Sequence, residues 1–171
     1  MLHDPVWLAI AKKYIGLKEI KGPHHNKQIL RFWRDIGAPF HDDETPWCGA
    51  FAGGVLREAG FPTPVNGASA RSYLSLPTKL TKPAVGAIVI FWRGSKSGPN
   101  GHVGFVVGAD RHGNIMVLGG NQGDAVSIKP FAITGPNARV LGYRWPGIFP
   151  VKERFNLPII DSDGRLSENE A

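Results

Sequence analysis

The sequence predicts an α+β domain, with helices in its first part and an antiparallel sheet packed against them. Three observations carry this. Apolar residues recur at helical spacing up to Gly60, and from Ala87 onward they gather in short β-branched and aromatic runs separated by Gly, Pro and Asn. Helices first and strands afterwards is the order that sets helices on one face of an antiparallel sheet. A length of 171 residues holds one core of ordinary size, and 22 Gly with 14 Pro fits a chain rich in turns.

The first helix is expected from Asp4, as N-cap, and Pro5, as first helical residue, through Trp7, Leu8, Ile10, Ala11 and Tyr14 to Ile15, with Gly16 closing it. A second runs from Asn26, a capping residue, through Ile29, Leu30 and Trp33 to Ile36 and Gly37. After a polar loop with Asp42, Asp43 and Glu44, Thr45 is suited to cap a third helix and Pro46 to begin it. Trp47, Cys48, Phe51, Ala52, Val55 and Leu56 continue it until Gly60 and Pro62. Residues 61–83 read as loop, with a short helix around Ala70 to Leu74. Strands are expected at Ala87–Trp92, His102–Val107, Ile115–Leu118, Val126–Lys129 and Val140–Trp145, the second and third joined by a hairpin turn at 110–114. The domain is set at 1–150. Residues 151–171 form a polar tail in which Leu157–Ile160 is a candidate edge strand.

The net charge of +6 and pI near 9.7 favour an anionic partner: nucleic acid, a lipid surface or an acidic wall polymer. The basic residues are scattered, with no basic stripe interleaved with aromatics, which argues against nucleic acid. No signal peptide or membrane-spanning run is visible, so the expected product starts in the cytoplasm as a monomer, and another component carries or releases it to an outside substrate. The single cysteine excludes an internal disulfide.

Cys48 in the first turn of a helix would lie among N–H groups that have no intrahelical partner, at the positive end of the helix dipole. Both favour the thiolate, the nucleophilic form, and the same N–H groups suit an oxyanion. The alternative is a small buried hydrophobe. His102 opens a strand between Gly101 and Gly104, sharing one face with Gly104 and Val106, from which a base would meet a helix packed across the sheet. The other histidines, His3, His24, His25, His41 and His112, fall in loops or near the terminus. A catalytic imidazole needs a third group to orient it. Asn121 is placed there, after the strand that pairs with that of His102, with Gln122 and Asp124 as further candidates; the competing reading makes Asn121 a turn residue that tolerates a left-handed backbone. Trp47, Trp92 and Gln122 are candidates to contact substrate, and core packing is the other reading of the tryptophans.

The segments DETPWCGAFAGGVL, GHVGFVVG and VLGGNQGD together resemble the NlpC/P60 and CHAP superfamily of peptidoglycan-cleaving cysteine enzymes, especially its phage-endolysin-like members with a Trp-Cys pair opening the helix. The likeness runs from about Trp7 to Trp145. It implies a papain-like fold, bacterial peptidoglycan as partner, and Cys48, His102 and Asn121 as the site. The activity it implies is endopeptidase or N-acetylmuramoyl-L-alanine amidase. Many relatives carry Asp-Cys-Ser-Gly where this chain has Trp47-Cys48-Gly49-Ala50, so substrate rules do not transfer directly. Some members bind calcium before the cysteine, where Asp42, Asp43 and Glu44 stand, although the spacing departs from the usual ligand loop. No cofactor is otherwise expected. Two other readings are a catalytically silent wall-binding module and a cysteine amidase with a non-wall substrate.

Overall fold

The computed structural model describes residues 2–168. Three helices, α1 (Val6–Lys13), α2 (Lys27–Asp35) and α3 (Cys48–Glu58), precede the strands β1 (Thr78–Leu80), β2 (Ile88–Trp92), β3 (Gly101–Ala109), β4 (Asn114–Gly119), β5 (Ser127–Ala132) and β6 (Val140–Trp145). These strands make one antiparallel sheet in the order β1-β6-β2-β3-β4-β5. The α+β architecture expected from the sequence is the one adopted.

Two of the helices, α1 and α3, begin later than their cap signals imply. Pro5 is the N-cap of α1, and Asp4 instead reaches forward to Lys12 at 2.8 Å. Asn26 caps α2 as expected, its side chain accepting from the Gln28 N–H. At α3 the Thr45 N–H and hydroxyl are both drawn back onto the Asp42 carboxylate, at 2.6 and 3.0 Å, and the helix opens only at Cys48. The short helix expected near Ala70 is a 3₁₀ turn, Ala70–Ser75. The three-residue strand β1, at the sheet edge beside β6, lies in a stretch expected to be loop; it is too short for its alternation to register.

Every residue of α3 from Cys48 to Leu56 is buried, which makes it the spine of the helical layer. Phe51 meets Phe32 of α2 and Phe105 of β3 edge to face, with centroids 5.6 and 6.4 Å apart. The Trp7 indole N–H donates to the Gly86 carbonyl at 2.8 Å, tying α1 to the entry of β2. At the far edge β5 carries Pro130, tolerated because an edge strand has a row of backbone groups without sheet partners.

Residues 151–168 are attached to the domain. After a 3₁₀ turn, Lys152–Phe155, Ile159 forms a parallel bridge to Ala109, whose N–H donates to the Pro158 carbonyl while the Ile160 N–H donates to Ala109. The chain then turns at Ser162, whose hydroxyl donates to Asp110 at 2.6 Å, and crosses to the free edge of β5, where the Ser167 N–H donates to the Pro130 carbonyl at 3.0 Å. Partial burial pushes Asp110 upward, but the bonds from Ser162, Asn114 and His112 prevail and hold its carboxyl down to about 2. Its native pKa thus lies below the ordinary carboxylate value. The clamp is fully present above about pH 4 and is expected to loosen as pH falls toward 2, a change that hydrogen exchange of the Ser162 and Gly164 amides will register.

Candidate active site

Cys48 is the first residue of α3, so its own N–H and those after it have no partner within the helix. The thiol is buried, with 4% of the residue exposed. Burial pushes its pKa up, against the pull of the Val103, Gly49 and Cys48 N–H groups and the Arg93 guanidinium, and burial prevails. The Val103 contact locates the thiol beside β3, next to His102 in the chain. A close fit fixes the first turn of α3. The Tyr73 hydroxyl donates to the Gly49 carbonyl at 2.7 Å and lies 3.1 Å from that of Gly67, and a side chain at Gly49 would collide with the Gly67 and Ala68 carbonyl oxygens.

His102 is fully buried. Phe105 turns toward α3, so by alternation His102 turns to the other face of β3, where its ring packs beside the stacked pair Phe91 and Phe131, with centroids 6.1 and 5.6 Å away. The helix therefore does not cover the His102 face, contrary to the simple alternation argument; α3 meets β3 near its start through the thiol and the Val103 N–H. The imidazole Nε2 lies 2.9 Å from Gln122 Oε1. Gln122 is held rigidly: its amide nitrogen donates to the Val117 and Ser127 carbonyls at 3.1 and 2.8 Å, and the Ser127 hydroxyl donates to its own carbonyl. With the amide nitrogen committed to two acceptors, Oε1 is left to accept. The proton of a neutral imidazole then sits on Nε2, and Nδ1 keeps the lone pair. Gly119 makes room for this pair, since a Cβ there would collide with Gln122 Oε1 and lie 3.2 Å from His102 Nε2.

The residue bonded to His102 is thus Gln122, not Asn121. Asn121 follows the end of β4 with φ of +60°, and its fully buried side-chain amide has no hydrogen-bond partner among the described residues. The left-handed backbone interrupts the strand alternation from which the Asn121 reading was drawn. Asp124 is exposed and also left-handed. Gln122 is buried against the imidazole and cannot offer its amide to substrate without releasing it. Trp47 is also corrected: it is fully buried, and its indole N–H donates to Glu19 at 2.9 Å. Trp92 stays half-exposed at the rim of a cleft of about 580 Å³, lined by Phe91, Arg93, Asn100, Phe131 and Arg139 among others. Neither Tyr73 nor the two arginines stood out in the sequence, because nothing local marks them.

Two carboxylates of the acidic loop, Asp42 and Asp43, are engaged by the protein itself. Asp43 is fully buried, with Oδ2 accepting from the Ile20 and Asn26 N–H groups at 2.8 and 2.7 Å and Oδ1 3.0 Å from His25 Nδ1. Both oxygens of Asp42 serve Thr45, and Oδ1 also serves the Glu44 N–H. Among the described residues no group of three or more His, Cys, Asp or Glu side chains is placed to hold a metal ion. Asp43 is a structural latch between the loop before α2 and the approach to α3. Asp43→Ala is expected to lower stability by about 3 kcal/mol, since buried N–H groups lose a charged acceptor. Chemical denaturation will check this, and an unchanged midpoint would remove the latch.

No helix among the described residues is long and apolar enough to cross a membrane. No curated protein matches the chain. Residues 40–121 match the family model of the CHAP domain, a span that includes both Cys48 and His102. The helices on a six-stranded antiparallel sheet agree with the papain-like α+β fold of that family, whose members are generally cysteine amidases and peptidases acting on peptidoglycan. Residues 40–121 are thus similar to the CHAP domain, which is part of the NlpC/P60 and CHAP superfamily of cysteine hydrolases.

Proposed function

We propose that this protein hydrolyses an amide bond in the peptide portion of bacterial peptidoglycan, with Cys48 as nucleophile, His102 as general base and acid, and Gln122 holding the imidazole. The observation that carries this is the juxtaposition at the start of β3. A helix-opening thiol lies against the Val103 N–H, and the neighbouring His102 has its Nε2 fixed by Gln122 at 2.9 Å.

With Nε2 protonated, Nδ1 takes the thiol proton, and the Cys48 sulfur attacks the carbonyl carbon as the C=O π pair moves onto oxygen. The Cys48 N–H is suited to stabilise that oxyanion. Collapse breaks the C–N bond, and the imidazolium returns its proton to the leaving amine. Water then attacks the thioester. The imidazole removes its proton, the acyl group leaves as carboxylic acid, and the thiol is restored.

The test is to incubate purified sacculi with the protein and identify soluble fragments by mass spectrometry. Release of peptide-bearing fragments with new carboxyl and amino ends is expected, and those ends distinguish an endopeptidase from an amidase. Intact sacculi, under conditions where a known lysin works, would transfer the reading to an amidase of another substrate or to a binding module.

A further inference from the structure

The resting site is closed. His102 is fully buried and Cys48 nearly so, yet the reaction requires a peptide to reach both. A cleft reaches the rings that pack near His102, and part of the chain already lies in it. Its wall includes Phe91 and Phe131, the two rings that pack near His102, and Arg93, whose charge is felt at the Cys48 thiol. Arg139 lies over the Phe131 ring, 6.0 Å from its centroid. Two cationic side chains thus frame the approach to the imidazole. Part of the remaining wall is the chain's own Leu166, Ser167 and Glu168.

That segment is acidic, with Asp161, Asp163 and Glu168 against Arg165. It has no regular secondary structure, and the Ser167 N–H donates to the Pro130 carbonyl of β5. Leu166 is half-buried between this cleft and a second one lined by Met116, Ile128 and Lys129. An apolar anchor, one strand-like bond and a carboxylate in the same cleft as two guanidinium groups are features an extended acidic peptide would present there.

We propose that Arg93 and Arg139 form a subsite for a carboxylate of the substrate peptide, and that residues 161–168 lie along the cleft as a displaceable cap with Glu168 in the place of that carboxylate. This rests on the hydrolase reading for the identity of the substrate, but not for the cap. Turnover requires the segment to leave, and substrates lacking a free carboxylate near the scissile bond are bound poorly.

The test uses alkylation of Cys48 by iodoacetamide, followed by intact mass, which the single cysteine makes unambiguous. In the full chain, Leu166→Ser with Ser167→Pro removes the apolar anchor and the N–H bonded to Pro130. Alkylation is expected to quicken by about tenfold, and equally in a chain ending at Ser162, because access governs thiol reactivity. A peptide of residues 161–168 added to the shortened chain is expected to restore protection. The same peptide carrying Glu168→Gln, or the shortened chain carrying Arg139→Gln, is expected to need about tenfold more peptide, as loss of a charge-assisted pair implies. Unchanged alkylation in both the double variant and the shortened chain overturns the cap, and equal protection by the Glu168→Gln peptide overturns the carboxylate subsite. Faster alkylation with no fragments from sacculi in either form would leave the cap standing and defeat only the wall substrate.

Discussion

Cys48→Ser is expected to lower fragment release from sacculi by roughly 10⁴-fold or more, with the fold intact. The substitution retains shape and hydrogen-bonding capacity at a residue 4% exposed, so neither a cavity nor a clash accompanies it. What changes is the acidity of the nucleophile. A serine hydroxyl cannot be ionised by a neutral imidazole to the degree that a thiol can, and the Val103, Gly49 and Cys48 N–H groups that favour a sulfur anion cannot offset that difference. Circular dichroism and the unfolding midpoint should match wild type while the rate collapses. Cys48→Ala should behave alike, with loss of alkylation as an independent sign that the thiol is gone. Retained hydrolysis in either variant would exclude Cys48 as nucleophile and direct attention away from the start of α3.

Periodicity was enough to find the three helices and five of the strands, because each carries a patterned apolar face. The strand Val140–Trp145 has the limits its pattern predicts. Cys48 and His102 were legible for the same reason: one sits after a helix-start signal and the other at a glycine-flanked strand start, both local features. Even so, the start of α3 was read too early, since Thr45 looks like a cap until Asp42 is seen to take its N–H and hydroxyl. Long-range contacts were beyond reach. Nothing near Tyr73 announces that its hydroxyl will brace the Gly49 carbonyl, and nothing near Trp47 announces burial under the helix with Glu19 as its partner. Composition marks the tail as polar and its apolar run Leu157–Ile160 as a candidate edge strand; Ile159 bridges Ala109 there, while the Ser162 hydroxyl bond to Asp110 is a contact that composition does not weigh.

The partner of His102 shows how narrow the margin is, because one left-handed residue decides between two adjacent amides. Strand alternation continued past Gly119 gives Asn121 the task; φ of +60° at Asn121 turns the chain, and Gln122 arrives at Nε2 instead. Gln122→Ala is accordingly expected to lower kcat on the order of 10²-fold with little change in KM, since the ring loses the acceptor that holds its tautomer and orientation while the cleft keeps its walls. Gly119→Ala should produce a similar loss without altering any reacting group, because its Cβ would drive into Gln122 Oε1. Nitrogen NMR of the imidazole separates this positioning role from a general loss of structure. Wild type should show the proton on Nε2, and Gln122→Ala a mixture of tautomers with the rest of the spectrum unchanged. Asn121→Ala should leave both the tautomer and kcat near wild type, since its amide bonds to neither His102 nor any other described side chain. If the pattern is reversed, so that Asn121→Ala disturbs the tautomer and Gln122→Ala does not, then the imidazole turns to Asn121 in solution and the 2.9 Å contact with Gln122 is not the one that supports turnover.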